Sequence, residues 1–335
     1  VKEQVFVSAI VYVHDEEHSV ANGLEELNMS LSSIFKNYEI ILVNDASADA
    51  TLLNAREIKE SLNGNLTIIN LSRRHGIERA MNAGLVKSIG DFIFEIENIN
   101  FEYSLEIIYS LFKMALSGND IVAASPNTGL SWTSKLFYKL VNSFSYLKLD
   151  LKTESIRIVS RRALNAMLNL KEKVRYRKAL YAYTGFKKQL IEYDPIIKLN
   201  SEKSKLNREN ISTAFDVIVS FSNIGLRVSH YLSILFLLFS LFMAIYTFYN
   251  YFFNKNIVEG WTTLMILISF GFTGLFFIVG MLGEYISRLL IEIQNRPFYT
   301  TSSTEMYKPV NQYTNNEIHQ ARIEAAIAKE GGVNL

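Results

Sequence analysis

The chain has 335 residues, 49% of them hydrophobic, with a formal net charge of +1 and no cysteine. A balance this close to neutral gives no electrostatic case for nucleic acid. The missing thiols exclude disulfides, cysteine-ligated zinc and cysteine nucleophiles, and fit a reducing compartment.

Val5 to Val13 (VFVSAIVYV) is short, β-branched and almost wholly apolar, as expected of a parallel strand covered on both faces. It stops at His14-Asp15-Glu16-Glu17-His18, with no sign of a secretory leader. Ligands of open α/β sheets lie beyond the carboxyl ends of the strands, so this polar cluster is a site candidate. The same residues match the H-x-x-E-H zinc pattern, but that pattern needs a helix interior and these residues fall on a strand end and loop. Val20, Leu24, Leu27, Leu31 and Ile34 carry helical spacing. Tyr38 to Val43 (YEIILV) is a second buried strand, ending in Asn44-Asp45-Ala46-Ser47-Ala48-Asp49. Asp45, at the strand tip, is a candidate for holding a base or ribose, whereas Ser47 and Asp49 are equally suited to capping the next helix.

Leu66 to Leu71 gives a third strand, followed by Ser72-Arg73-Arg74-His75-Gly76 and a helix from Ile77 to Ser88. Cationic side chains beside a helix N-terminus make a candidate diphosphate cradle. In the fourth strand, Phe92 to Glu97, alternation puts Glu95 and Glu97 on one face, with Glu97 at the carboxyl edge. Four βα units with charged tips imply a Rossmann-like, doubly wound, mostly parallel sheet and a nucleotide crevice. Neither G-x-G-x-x-G nor G-x-x-x-x-G-K-[ST] occurs, so a dinucleotide fold and a P-loop are unsupported. Farther on, Leu136, Leu140, Phe144 and Leu147 share a helical side with Lys135 and Lys139 beside them, a pattern shared by lipid-surface and ordinary packed helices.

Two stretches, His230 to Phe253 and Trp261 to Leu282, contain no charged residue. About 20 apolar residues at 1.5 Å each cross a ~30 Å hydrocarbon layer, so a two-helix transmembrane hairpin is expected. Arg227 before the first stretch and Arg288 and Arg296 after the second place both termini in the cytoplasm. The expected divisions are a nucleotide-binding domain over 1–200, a linker and interfacial helix over 201–228, two membrane helices over 229–288 and a cytoplasmic tail over 289–335. A short helix is expected within the tail near Ile318 to Lys329.

The succession SAIVYVHDEE, YEIILVNDASADAT, LSRRHGIERAMNAGLVKSIGD and MLGEYISRLLIEIQNRPFY resembles the polyisoprenyl-phosphate branch of the family-two glycosyltransferases, the branch of dolichol-phosphate mannose synthases and bactoprenol glucosyltransferases. The resemblance runs from about Val5 to Tyr299. It implies a GT-A fold and inverting transfer of one sugar from a nucleotide diphosphate, with UDP the expected carrier, to undecaprenyl or another polyprenyl phosphate at the inner membrane. On the matching positions, Asp15, Glu16 and Glu17 would lie near the nucleoside, Asp45 would contact the base, and Arg73, Gly76 and Gly84 would line the nucleotide. The segment Ser155-Ile156-Arg157-Ile158-Val159-Ser160-Arg161-Arg162 resembles the family's D-F-R-x-x-S-R-R, which would give Arg157, Ser160 and Arg161 catalytic roles on the acceptor phosphate, with Lys135 nearby. The family's D-x-D reads Glu97-Asn98-Ile99 here, so Glu97 with Asn98 or Asn100 would be left to hold Mg²⁺ or Mn²⁺. That change, with Asn44 and Ser155, also admits a second reading: a catalytically degenerate binding or scaffold subunit. A third, a membrane zinc hydrolase, rests on His14 and His18. A homo-oligomer is compatible with any of them.

Overall fold

The computed structural model describes residues 2–127, 154–170, 176–196, 224–253, 260–294 and 297–308. In chain order the first elements are β1 (Glu3–Val13), α1 (Val20–Ile34), β2 (Phe35–Asn44) and α2 (Thr51–Glu57) with a 3-10 turn over Ile58–Glu60. Next come β3 (Asn65–Leu71), α3 (Ile77–Lys87), β4 (Phe92–Ile96), α4 (Ile107–Leu116) and β5 (Ile121–Pro126). After them lie β6 (Ile156–Ser160), α5 (Arg161–Asn169), α6 (Arg177–Tyr183) and β7 (Lys188–Tyr193). Two long helices, α7 (Ile224–Phe253) and α8 (Trp261–Ile293), precede a last strand, β8 (Thr301–Tyr307). Lys135 and its helical stretch, the linker over 201–223 and the expected tail helix lie outside the described residues.

All eight strands form one sheet in the order β7-β5-β6-β4-β1-β2-β3-β8. Its centre, β4-β1-β2-β3, is parallel, as the apolar runs predict, because helices cover both faces. Val7, Ala9, Val11 and Val13 face one core with α1 and α4, while Ile10 faces the other with α3 and α5. Gly84 of α3 lies over Ile10 and Val43, where a Cβ would collide with the Ile10 side chain, so its lack of a side chain lets helix and sheet approach.

The sheet is more mixed than expected. β6 runs antiparallel between β4 and β5, and β8 is antiparallel on β3. The segment after α8 therefore does not simply trail away: it returns to cover the β3 edge, which an exposed edge strand needs.

α7 and α8 touch through Phe236, Phe239 and Phe270, with the Phe236 ring against Gly274. Among the side chains described, large apolar residues on both helices are exposed, including Leu237, Leu241 and Phe242 on α7 and Phe272, Phe276 and Val279 on α8. Among the described residues one window, Phe270–Ser287, is long and apolar enough to cross a membrane, by length and composition.

Candidate active site

The carboxyl ends of β1 and β2 bring two acidic loops together. The Asp45 N–H donates to the Val13 carbonyl at 3.0 Å, which aligns the strand tips. Beyond them the loops are cross-linked: Asp15 N–H donates to Ser47 Oγ (3.0 Å) and Asp15 Oδ1 accepts from Ala48 N–H (2.8 Å). Glu16 N–H donates to Thr51 Oγ1 (2.7 Å) and Glu17 N–H to Asp49 Oδ2 (3.0 Å), while a Glu17 carboxylate oxygen accepts from Ala50 N–H (3.1 Å). Burial would raise the Asp49 carboxyl, but bonds from Thr51 and neighbouring amides hold it below its usual range. Asp15 and Ala46 both adopt φ of 54°, a conformation L-residues rarely take and one that collects at ligand-binding turns.

Asp45 departs from its expected role. It is fully buried, and its carboxylate accepts from His75 N–H (2.7 Å), Gly76 N–H (2.8 Å) and the Tyr12 hydroxyl (3.2 Å). Both oxygens are committed to fastening the loop before α3, so Asp45 shapes the crevice from behind instead of meeting a base. Gly76, at φ 81°, allows that turn and hands its N–H to Asp45, not to a ligand. Gly84 packs against the sheet and does not line the crevice. Arg73 stands exposed on the same loop. Burial and the nearby Arg73 push His75 below its ordinary pKa, and its Nε2 accepts from Thr300 N–H (3.3 Å).

At the tip of β4 the pattern changes from acidic to ionic. Glu97 Oε1 accepts from Arg177 Nη2 at 2.8 Å. Burial would raise the Glu97 carboxyl, yet Lys178, Arg177 and Arg157 outweigh it and hold it low. Arg177 is 1% exposed and also bonds Glu78 and Glu95. Glu95 in turn accepts from Tyr181 (2.5 Å) and from Arg157 Nη1 (3.0 Å), directly across the β4–β6 ladder. Arg157 continues to Glu154, which also takes Lys188 Nζ at 2.6 Å.

This network corrects the assignment of Arg157 to a lipid phosphate: the side chain is 3% exposed with its donors on Glu95 and Glu154. Ser160 and Arg161 are displaced further. Ser160 pairs with Phe92, at the start of β4, about 13 Å along the strand from Ile96. Ser160 Oγ donates to Asp120 and accepts from Ala163 N–H to cap α5, while Arg161 Nε donates to the Gly90 carbonyl at 2.8 Å. Both sit by the amino-terminal end of β4, the opposite end of the strands from the crevice.

The remaining metal candidates point elsewhere too. Asn98 Oδ1 accepts from Asn100 N–H (2.9 Å), and Asn100 Nδ2 donates to Glu16 Oε2 (2.9 Å), bridging the β1 and β4 tips. Ile99 is 1% exposed, and a Cβ on Gly23 of α1 would fall 2.5 Å from its Cγ1. The second position of the family's D-x-D is thus a core residue here. Among the described residues no group of three His, Asp or Glu is placed to hold a metal ion, and the carboxylate at the β4 tip, Glu97, has its Oε1 on Arg177. The zinc reading falls too, since the His14 ring donates to the Asp45 carbonyl (2.9 Å) and His18 projects into solvent.

Sequence reasoning missed Arg177, Glu78 and Tyr181. The signal was present in RKALYAY, where two adjacent cations open an otherwise apolar and aromatic helix.

The chain is similar to several known proteins. The family model described as Glycosyl transferase family 2 matches residues 8–98, from within β1 to the tip of β4. A glycosyltransferase of Synechocystis sp. is 30% identical over 303 residues, covering 88% of this chain and 94% of that protein. A bactoprenol glucosyl transferase of Shigella phage SfII is 27% identical, covering 90% of this chain and 99% of that one. A solved mannosyltransferase from Pyrobaculum calidifontis, in complex with GDP-Man and Mn²⁺, aligns over 59% of each chain at 14% identity with a TM-score of 0.44. The Synechocystis relative matches along nearly its whole length, and the family model spans the same four strand tips that enclose the crevice: the chain belongs to glycosyl transferase family 2.

Proposed function

We propose that this glycosyltransferase is membrane-anchored and moves one sugar, with inversion, from a nucleotide diphosphate such as UDP to a polyprenyl phosphate at the cytoplasmic face of the membrane. One observation carries this reading: the match to the phage bactoprenol glucosyl transferase covers 90% of this chain, a share that the residues before α7 cannot supply alone. The exposed apolar surfaces of α7 and α8 support the anchor, because apolar surface of that extent is unfavourable in water and favourable against lipid. Basic residues outside the two apolar stretches support cytoplasmic termini.

In this reading the donor lies in the crevice between the β1 loop, with Asp15 and Glu16, the β4 tip, with Glu97, Asn98 and Asn100, and the loop carrying Arg73. An acceptor phosphate oxygen bonds to the anomeric carbon as the bond from that carbon to the diphosphate oxygen breaks. The bonding pair leaves on the diphosphate. A phosphate monoester with a second pKa near ~6 is already largely dianionic at neutral pH, so no general base is needed. The chain's work is positioning and charge compensation.

A second reading, a binding subunit without transfer activity, is favoured by the burial of Ile99. Partition of radiolabel from a nucleotide sugar into prenyl lipid, in membranes containing the chain and in matched membranes lacking it, separates the two. Label in the lipid phase supports transfer; equal background in both supports the subunit.

A further inference from the structure

Resting on the transferase reading, we infer that the carboxylate at the β4 tip holds Arg177 in place of a divalent cation, so that this enzyme binds its donor and transfers the sugar without a metal. Hard divalent cations take six or more oxygen ligands, and carboxylates anchor them even when phosphates and waters supply the rest. The tip offers one carboxylate, Glu97, and its Oε1 is already bonded to Arg177 Nη2 at 2.8 Å.

Arg177 cannot step aside cheaply. Its guanidinium is buried and is also held by Glu78 and Glu95, so the whole group is fixed by three carboxylates on α3, β4 and the residue after β4. A cation taking Glu97 would strip one partner from a buried charge and place two like charges side by side. Lys178, itself buried, adds a further positive charge beside Glu97.

The neighbouring residues 98–100 add no further carboxylate. Asn98 Oδ1 accepts from the Asn100 backbone N–H, and the Asn100 side-chain amide donates to Glu16. The position where a second acid would stand is Ile99, locked against Gly23 in the core. The arrangement is therefore not a metal site with one ligand missing. It is an ion-pair site in which Glu97 Oε1 is taken by Arg177.

The test uses the full chain in detergent and Mn²⁺ as the probe, read by the loss of the free Mn²⁺ electron paramagnetic resonance signal. The expected result is no saturable loss with protein alone, and none beyond that caused by UDP when UDP is added. In parallel, sugar transfer to undecaprenyl phosphate is expected to proceed at equal rates in EDTA and in Mn²⁺. A saturable protein-dependent loss of signal, or transfer abolished by EDTA and restored by Mn²⁺, overturns the inference and leaves the transferase reading standing. No transfer in either buffer, with the Mn²⁺ signal untouched, removes the transferase reading and supports the ion-pair assignment. Glu97→Gln, which keeps the shape of the tip, is expected to leave the Mn²⁺ titration unchanged.

Discussion

Arg157 lies directly across the β4–β6 ladder from Glu95, its Nη1 3.0 Å from Oε2, and both side chains are shut away from solvent. A buried pair of this kind contributes little over an apolar pair of equal volume, but breaking it leaves an unpaired charge in the core. Arg157→Ala is therefore expected to cost ~3–5 kcal/mol of folding stability. Chemical denaturation of the detergent-solubilised protein measures this. A variant as stable as the wild type, with transfer lost, would return Arg157 to the acceptor-binding role.

Ile99 and Gly23 interlock, so the two positions are coupled. Gly23→Ala forces a methyl group into the Ile99 side chain and is expected to cost ~1–3 kcal/mol by overpacking. In an Ile99→Ala background the same change should cost less, because the side-chain part of the clash is gone and only the carbonyl of residue 99, 2.8 Å from the new methyl, remains. The double-mutant cycle reads the coupling directly, and additive effects would show that the contact is slack.

Glu154 gives the acid limb of the stability profile. Burial would raise its carboxyl, but Arg157 and Lys188 hold it at about 2 in the folded chain. A depressed folded pKa contributes stability that is full above the ordinary value of 4.5 and is lost as the pH falls toward about 2. The loss across that window should be on the order of 3 kcal/mol. Glu154→Gln should flatten that part of the profile, in urea titrations run at successive pH values. An unchanged acid limb would mean that Glu154 is not the group responsible.

The strand after α8 ties the long helices to the crevice. Ser72 N–H donates to the Thr300 carbonyl at 2.9 Å, and Glu305 accepts from Arg56 Nε at 2.9 Å and from Asn70 Nδ2 at 3.1 Å. A chain ending at Tyr299 should lose amide protection along β3 in hydrogen exchange, because the ladder to β8 is gone. Arg56→Ala alone should cost ~1 kcal/mol or less, since the pair is partly exposed. Unaltered exchange along β3 in the shortened chain would show that β8 is dispensable to that edge.

The absence of native cysteine makes topology directly measurable. Lys255→Cys, between the two apolar stretches, should react with an impermeant maleimide from outside intact cells. Glu57→Cys on α2 should react only after permeabilisation. Both sites reacting together, or both remaining protected in intact cells, would contradict the hairpin.

The parallel centre of the sheet was legible because β1 to β4 are apolar runs ending in charged tips, a pattern set by burial on both faces. The crevice loops were legible for the same reason. What the residues could not convey was register. Arg157, Ser160 and Arg161 look like one phosphate-binding set in sequence, but an antiparallel β6 sends Ser160 to the far end of the strands and locks Arg157 into the core. Asp45 reads as a ligand contact until its depth beneath the α3 loop is known. β8 carried no apolar signal, because TSSTEMY is an edge strand whose side chains are mostly exposed. Arg177 was overlooked because its partners Glu78, Glu95 and Glu97 lie 80 or more residues away in the chain.

The most direct test is the mass spectrum of the prenyl phosphate pool after the detergent-purified full chain is incubated with undecaprenyl phosphate and mixed nucleotide sugars. The expected result is a species heavier than undecaprenyl phosphate by a single sugar residue, with the nucleoside diphosphate released in equal amount. An unchanged prenyl phosphate spectrum, beside a family enzyme that does give product, would contradict the account.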